Sequence, residues 1–320
     1  MRATARAQPN IALIKYWGKR DTANNLPAVG SISVTLSDLF TDMTVSLEDN
    51  LDRDRLVING DDADSMTSRI SACLDAVAGK SRARARIDSH CNFPLAAGLA
   101  SSASSFAATV VAAAAASGVS ASTAELASLA GRASGSAARS LYGGFAELQN
   151  EASDVAVATI RDGDEWPLRV IIAITSNDPK PVSSGEAMEI SRKTSPFYGR
   201  WIEDQPHDLR VAREAIQDLD FEKLADVSEH NCLKMHSVMW ASRPPVVYWN
   251  AATLDCLHTI RALRSQGVGV FFTIDAGPQV KAVCVESDAD AVREALAATE
   301  GVHDTLSSGL GDGARLLDTA

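Results

Sequence analysis

Hydrophobic periodicity switches repeatedly between two and 3.6 along this chain, and the order of the switches restricts the available folds more than any single motif does. Ile32 to Leu36 and Met43 to Leu47 alternate apolar and polar side chains with a period of two, the pattern of half-buried strands. Arg55 to Ile58 runs into Asn59-Gly60, a hairpin signal, so the first third reads as an antiparallel, turn-linked sheet. Asp64 to Ala78 carries a helical stripe of Met66, Ile70, Cys73, Leu74 and Val77, and strand Ala83 to Ile87 follows. Helices are predicted from Ser101 or Ser102 to Ser117, ended by Gly118, and over Thr123 to Ala133. Gly143-Gly144 then opens strand Phe145 to Leu148, and Val155 to Ile160 and Leu168 to Thr175 are β-rich.

From Ser183 to about Ser265 the period becomes helical. Helices are predicted over Ser183 to Lys193, Phe197 to Ile216, Glu222 to Ala241 and Val247 to Ser265, separated by Pro196, Asp218 to Phe221, and Pro244-Pro245. Strands Val268 to Ile274 and Lys281 to Val285 return, and Ala289 to Ala298 is a last helix. A β-rich N-terminal half followed by a helical second half with returning strands is an α+β arrangement. No internal repeat or low-complexity linker interrupts it.

The 320 residues are 46% apolar and 22% charged, enough for one large domain or two closely packed ones. A formal charge of −11 argues against a general binder of nucleic acid or anionic membrane and leaves room for a local basic pocket. The longest apolar stretch, Phe106 to Ala116, is about half of the ~20 residues that span a bilayer. Met1 to Pro9 carries two arginines but leads into no apolar signal region, so a cytoplasmic protein is expected. Five widely spaced cysteines, with no Cys-x-x-Cys pair, suggest reduced core thiols rather than disulfides or zinc. His230 and His236 fall on opposite faces of a helix, unlike a helical metal pair.

Chemistry concentrates in three clusters. Pro94 to Ser105 places Gly98 among small residues and four serines immediately before a helix. Close backbone N–H groups, hydroxyls and the positive helix end there suit a polyphosphate. The alternative is a Ser/Ala-rich turn with Ser101 as N-cap; the stretch is neither a Walker A sequence nor Gly-x-Gly-x-x-Gly. Ser134 to Ser140 gathers hydroxyls and Gly135 beside Arg139, at the start of a predicted helix. It reads as a second anion site or as a helix–helix turn with a surface arginine. Ile14 to Arg20 packs three cations and two aromatics into seven residues of an acidic protein, as a site or as a snorkelling surface strand. Asp275, followed by Ala-Gly-Pro, has by spacing alone the look of a structural turn residue.

Taken together, Asn10 to Lys19, Ser31 to Leu36, Asn92 to Ser104, Ser134 to Gly144, Val182 to Ser184 and Thr273 to Pro278 resemble, in order, the motifs of the diphosphomevalonate decarboxylases of the GHMP kinase superfamily. The resemblance implies a two-part GHMP kinase-type fold with a β-rich, ribosomal protein S5 domain 2-like N-terminal half. It implies an ATP-binding domain over 1–180 and a C-terminal GHMP domain over 181–320. The implied activity is an ATP-dependent carboxy-lyase with Mg²⁺, acting on a phosphorylated mevalonate, as a homodimer.

By motif match, Asp275, Lys15 and Arg139 take the catalytic positions. Asp275 serves the 3-hydroxyl as base or orienter, Lys15 lies near that hydroxyl, and Arg139 holds the carboxylate. Tyr16, Trp17, Gly18, Lys19, Ser134, Gly135, Ser136, Ala137, Ala138 and Ser184 fall at substrate positions, with Arg69 joining them by a weaker match. Ala97, Gly98, Leu99, Ala100, Ser101, Ser102 and Ser104 fall in the ATP loop. The chain departs from the family at Leu95, Gly30 and Gly185, the last two losing polar groups where the match places substrate. Two other readings stand beside the first: decarboxylation of 5-phosphomevalonate, and a catalytically silent nucleotide-binding protein on the same fold.

Overall fold

A computed structural model describes residues 1–93, 101–151 and 154–319. The chain opens with β1 (Arg2–Ala7), β2 (Asn10–Ile14), a short hairpin of β3 (Lys19–Asp21) and β4 (Leu26–Pro27), then β5 (Ser31–Thr35), β6 (Thr41–Glu48), β7 (Arg55–Ile58) and β8 (Asp61–Asp62). Helix α1 (Asp64–Ala78), β9 (Arg84–Cys91), α2 (Ser101–Ser117) and α3 (Thr123–Ala133) follow. A 3₁₀ turn (Ala137–Leu141) leads into β10 (Phe145–Asn150), β11 (Val155–Arg161) and β12 (Leu168–Ile174). The helical block is α4 (Ser184–Thr194), α5 (Tyr198–Asp218), α6 (Phe221–Trp240) and α7 (Ala251–Ser265); β13 (Val270–Ile274), β14 (Val280–Val285), α8 (Ala289–Ala297), β15 (Asp304–Ser308) and β16 (Arg315–Thr319) complete the chain.

The strands form a six-stranded sheet in the order β16-β1-β6-β9-β7-β8, a four-stranded sheet β11-β10-β5-β2, and a second four-stranded sheet β13-β14-β12-β15. Along β6, Thr41, Met43 and Val45 point inward and alternate with half-buried polar residues, so one face of the first sheet is apolar. Helix α2 covers that face. Its small side chains are buried nearly all round because α1, α3 and the 3₁₀ turn enclose it from the other side. The third sheet is covered on both faces: Val170, Ile172 and Ile174 of β12 meet α5, α6 and the second sheet, while Ile171 and Ala173 meet α7 and α8. All five cysteines are buried and unpaired.

Several sequence expectations change. The first sheet is not purely antiparallel, because β7 pairs with β9 in parallel, with α1 as the crossover. Helix α7 begins at Ala251 rather than Val247, since the Asn250 side chain caps it by accepting from the Thr253 N–H. The 134–140 cluster makes a single 3₁₀ turn and not a full helix, and Arg139 within it is buried rather than on the surface. Strands β1, β2, β15 and β16 carry no strand signal in the sequence pattern; β16 pairs with β1 along the edge of the first sheet.

Candidate active site

The second sheet ends where the helical block begins. At the end of β2 the register with β5 slips between Ala12 and Ile14, and the Ala12 carbonyl there accepts from Lys15 Nζ (2.8 Å) and Thr273 Oγ1 (3.1 Å). The loop Lys15–Gly18 is held by its backbone from the helices. Asn231 Oδ1 of α6 accepts from the Lys15 N–H (2.7 Å), Gln205 Nε2 of α5 donates to the Lys15 carbonyl (2.7 Å), and Trp201 Nε1 donates to the Trp17 carbonyl (3.0 Å). Fixed backbone on both sides leaves the Lys15 side chain one direction, into the cleft.

There it meets Asp275, at the turn after β13, with Nζ 2.7 Å from Oδ1. Lys281 Nζ, from β14, lies 3.4 Å from Oδ2 of the same carboxylate. Burial alone would raise the Asp275 carboxyl, but the charges of the two lysines hold it well below the usual carboxylate range, so it is ionised. Burial pushes the Lys281 and Lys180 ammonium groups down, opposed in both by the charge of Asp275.

Arg139 is 2% exposed, with its guanidinium braced by the second sheet. Nε donates to Ser33 Oγ (2.9 Å), Nη1 to Ser31 Oγ, and Nη2 to Asn10 Oδ1 (3.2 Å). Five N–H donors less these three leave one on each terminal nitrogen, the fork that suits a carboxylate. Burial lowers its pKa to about 10, which still leaves a cation at neutral pH. The Tyr16 hydroxyl, pushed up to about 12 chiefly by burial, is buried and makes no hydrogen bond among the described residues. It is a neutral donor aimed at the same space. Gly135 is required beside it, since a Cβ there would stand 2.5 Å from the Tyr16 ring.

These groups line one cleft of about 440 Å³. Lys15, Tyr16, Trp17, Arg139 and Asp275 meet there, with Ser102, Ser134, Gly135, Ser136, Lys19, Arg69 and Ser184 also in the lining. Ser134 Oγ donates to Ser102 Oγ (3.3 Å), which joins the 3₁₀ turn to the N-terminus of α2. Other expected site residues lie elsewhere. Ser104 is fully buried, its hydroxyl 2.8 Å from Thr41 Oγ1, and Ala137 and Ala138 pack in the core beneath α2. Gly18 sits behind the loop at φ +98°, where a Cβ would collide with the Tyr198 hydroxyl. Ser101 opens α2 outside the cleft lining, and Ala97, Gly98, Leu99 and Ala100 fall outside the described residues.

Sequence reasoning missed Lys180, which lines the cleft with Nζ 3.4 Å from Ser184 Oγ, and Lys281 and Asn10. Lys281 did leave a signal: it is the only charged side chain in the otherwise apolar run Val280–Val285. Gly30, expected near substrate, instead packs between β10 and α5, where a Cβ would stand 2.8 Å from the Leu148 carbonyl oxygen and 2.9 Å from Leu209 Cδ1. Only Gly185 of the two departing glycines borders the cleft.

An α+β fold of GHMP kinase type, with a cationic cleft set between a β-rich half and a helical block in an acidic protein, defines an enzyme that handles small polyanions. Comparison with known proteins narrows this. Residues 7–158 match the family model of the diphosphomevalonate decarboxylase-like N-terminal domain, and residues 170–310 match that of the mevalonate 5-diphosphate decarboxylase C-terminal domain. The chain is 35% identical to the diphosphomevalonate decarboxylase of Candida albicans (92% of this chain, 87% of the relative) and 34% identical to that of Homo sapiens (92% and 79%). It is also similar to the solved mevalonate diphosphate decarboxylase of Staphylococcus aureus, with a TM-score of 0.93 and 35% identity over 99% of this chain and 98% of that one. A neighbour solved in complex with MVAPP, AMPPCP and magnesium has a TM-score of 0.92 and 32% identity over 100% and 99% of the two chains. The chain belongs to the diphosphomevalonate decarboxylase family.

Proposed function

We propose that this chain carries out the ATP-dependent decarboxylation of (R)-5-diphosphomevalonate, giving isopentenyl diphosphate, ADP, phosphate and CO₂. The observation that carries the reading is the meeting, in one cleft, of an ionised Asp275 with the fork of Arg139 and a surplus of lysines. Family membership, and the neighbour bound to MVAPP and AMPPCP, support it.

In this reading Asp275 accepts the hydrogen bond of the tertiary 3-hydroxyl and aims its oxygen at the γ-phosphorus of ATP. The O3–P bond forms, the bond from that phosphorus to the β–γ bridging oxygen breaks with its electrons going to ADP, and the hydroxyl proton passes to the Asp275 carboxylate and from there to solvent. Lys15 and Lys180 face the charge of the transferring phosphoryl group. The new phosphate then leaves C3 with the C–O electron pair, and the C1–C2 pair becomes the C2–C3 double bond as CO₂ departs. Arg139 fixes the carboxylate so that the C1–C2 bond is aligned for that step. Tyr16, Lys19, Arg69, Ser134 and Ser184 hold the 5-diphosphate.

The N-terminus of α2 and Ser102 at the cleft wall suit the nucleotide phosphates. Among the described residues no three His, Cys, Asp or Glu side chains converge on one point, so Mg²⁺ fits as a partner of phosphate oxygens. When bound it neutralises phosphate charge. A division of the chain near residue 180, a homodimeric state and a cytoplasmic location complete the proposal; light scattering on the purified protein tests the dimer. No helix among the described residues is long and apolar enough to cross a membrane.

The deciding assay presents the purified protein with mevalonate, its 5-phosphate and its 5-diphosphate, and follows ADP and CO₂ together. Equal release of both with the diphosphate is expected. No ADP with any mevalonate phosphate would favour the silent-binder reading. The 5-phosphate reading has one observation in its favour, the missing side chain at Gly185, whose Cβ position lies 3.9 Å from Lys19 Nζ. A neutral hydrogen bond there, about 0.5–1.5 kcal/mol, is too small to reverse a preference set by charge pairing. The diphosphate is therefore expected to win in kcat/KM.

A further inference from the structure

Asp275 has two lysines where one would keep it ionised. Lys15 reaches Oδ1 and also donates to the Ala12 carbonyl. Lys281, fully buried on β14 opposite Thr273, stands 3.4 Å from Oδ2 and donates to the Gln279 carbonyl (3.3 Å). Taking a second ammonium out of water is costly, and the attraction of one carboxylate shared with Lys15 repays it only partly. What Lys281 adds is geometric. The terminal torsion of an aspartate is broad, so a carboxylate gripped at one oxygen can rock about its Cβ–Cγ bond. A second grip on the other oxygen fixes the carboxylate plane and leaves its remaining lone pairs a set direction.

We propose that Lys281 is a positioning residue for the reaction: by holding Asp275 Oδ2 it fixes the plane of the carboxylate that orients the substrate hydroxyl. This rests on the role assigned above to Asp275. The charged and titratable groups around the carboxylate come from every side: Lys15 after β2, Tyr16 beside it, Arg139 from the 3₁₀ turn, Lys180 ahead of α4, and Cys232 and His236 from α6. His236 is neutral, since burial pushes it down to about 3, and burial keeps Cys232 a thiol. Of the two lysines paired with the carboxylate, Lys15 hydrogen-bonds Oδ1, while Lys281 makes its nearest approach to Oδ2, as an ion pair on an oxygen that takes no hydrogen bond among the described residues.

The test is Lys281→Met, with Lys281→Gln as the variant that keeps a hydrogen-bond donor without charge should the first fail to fold. In folded protein kcat is expected to fall about 10- to 100-fold, the range of a misaimed catalytic group, while KM for ATP stays within about threefold. The acid limb of the kcat profile should move up, because Asp275 loses one of the two cations that depress it. In an Asp275→Asn background the same change should cost less than about twofold, since Lys281 then has no carboxylate to aim. An unchanged kcat and acid limb, or equal losses in both backgrounds, overturns the proposal. The ¹³C titration of the Asp275 carboxyl reads the pairing without turnover. Its midpoint should rise in Lys281→Met, and an unmoved midpoint overturns the proposal even if the wild-type protein proves inactive on diphosphomevalonate, a result that would sink the functional reading by itself.

Discussion

Two buried ion clusters of this molecule use the same residue types to opposite ends. Beneath the first sheet, Arg82 lies between two carboxylates: Nη1 and Nη2 donate to Asp54 (2.9 and 2.5 Å), and Nε pairs with Asp75 (2.9 Å). Its remaining donors go to the Ala83 and Ser71 carbonyls, and Asp54 also accepts from the Ala85 N–H. The Arg82 guanidinium is spent inside the protein. In the cleft the ratio is inverted, with Asp275 facing Lys15 and Lys281 while Arg139, Lys180 and Tyr16 keep donors for something else. A balanced cluster is a staple; a cluster with surplus positive charge and unspent donors is an anion site.

The comparison breaks most visibly at Asp275. Replacing it with Ala is expected to lower kcat at least about 10²–10⁴-fold, the usual cost of losing a base or orienter, with substrate and ATP affinity within about tenfold. Steady-state and binding measurements on folded protein check this. Near-normal turnover would remove Asp275 from the reaction.

Arg82→Met should do the reverse. Removing one partner of a buried pair leaves the others uncompensated, so stability to urea should fall by about 3–5 kcal/mol while kcat stays within about twofold. A large loss of kcat at unchanged stability would place that cluster in the site.

Arg139→Lys keeps the charge and loses the fork. About 10- to 100-fold in kcat at saturating substrate is expected, with ATP affinity unmoved. A change confined to KM for ATP would assign Arg139 to the nucleotide.

Acid sharpens the contrast further. Burial would raise the Asp54 carboxyl, but its hydrogen bonds from Arg82 and the Ala85 N–H hold it at about 2, against 3.8 ordinarily. A depressed carboxylate stabilises the fold above its unfolded pKa, and the gain is lost as pH falls through the folded value. About 2 kcal/mol should therefore disappear between about pH 4 and 2, and Asp54→Asn should flatten that part of the stability curve. The smallest effect is at the mouth of the cleft, where Lys19→Ala should narrow the preference for diphosphate over monophosphate by about fivefold, a partly exposed ion pair being worth about 1 kcal/mol.

Most helices and core strands were legible because each carries its own period. Asp64–Ala78 could be read from its stripe alone, since Ala63 before it makes no side-chain cap, whereas Thr123–Ala133 also carries a capping box from Ser122 and Glu125. Short or uniformly buried strands were not: in β2 every residue is buried, so there is no alternation to read. The parallel pairing of β7 with β9 and the return of β16 to β1 are partner choices, which no local pattern encodes.

The same division runs through the site. The sequence by itself determined the chemistry on offer, since Lys15, Arg139 and Asp275 stand in motifs long enough to be read in order. Only the tertiary structure decided which groups face one another: Lys15 and Asp275 are 260 residues apart and touch because β2 and β13 end at the same point. It turned Ser104, Ala137 and Ala138 into the core, moved Gly30 to a packing contact, and brought Lys281 and Lys180 to the carboxylate's surroundings. Periodicity and capping act over a few residues and are written locally. Desolvation and charge pairing depend on neighbours that the chain supplies only after it has folded.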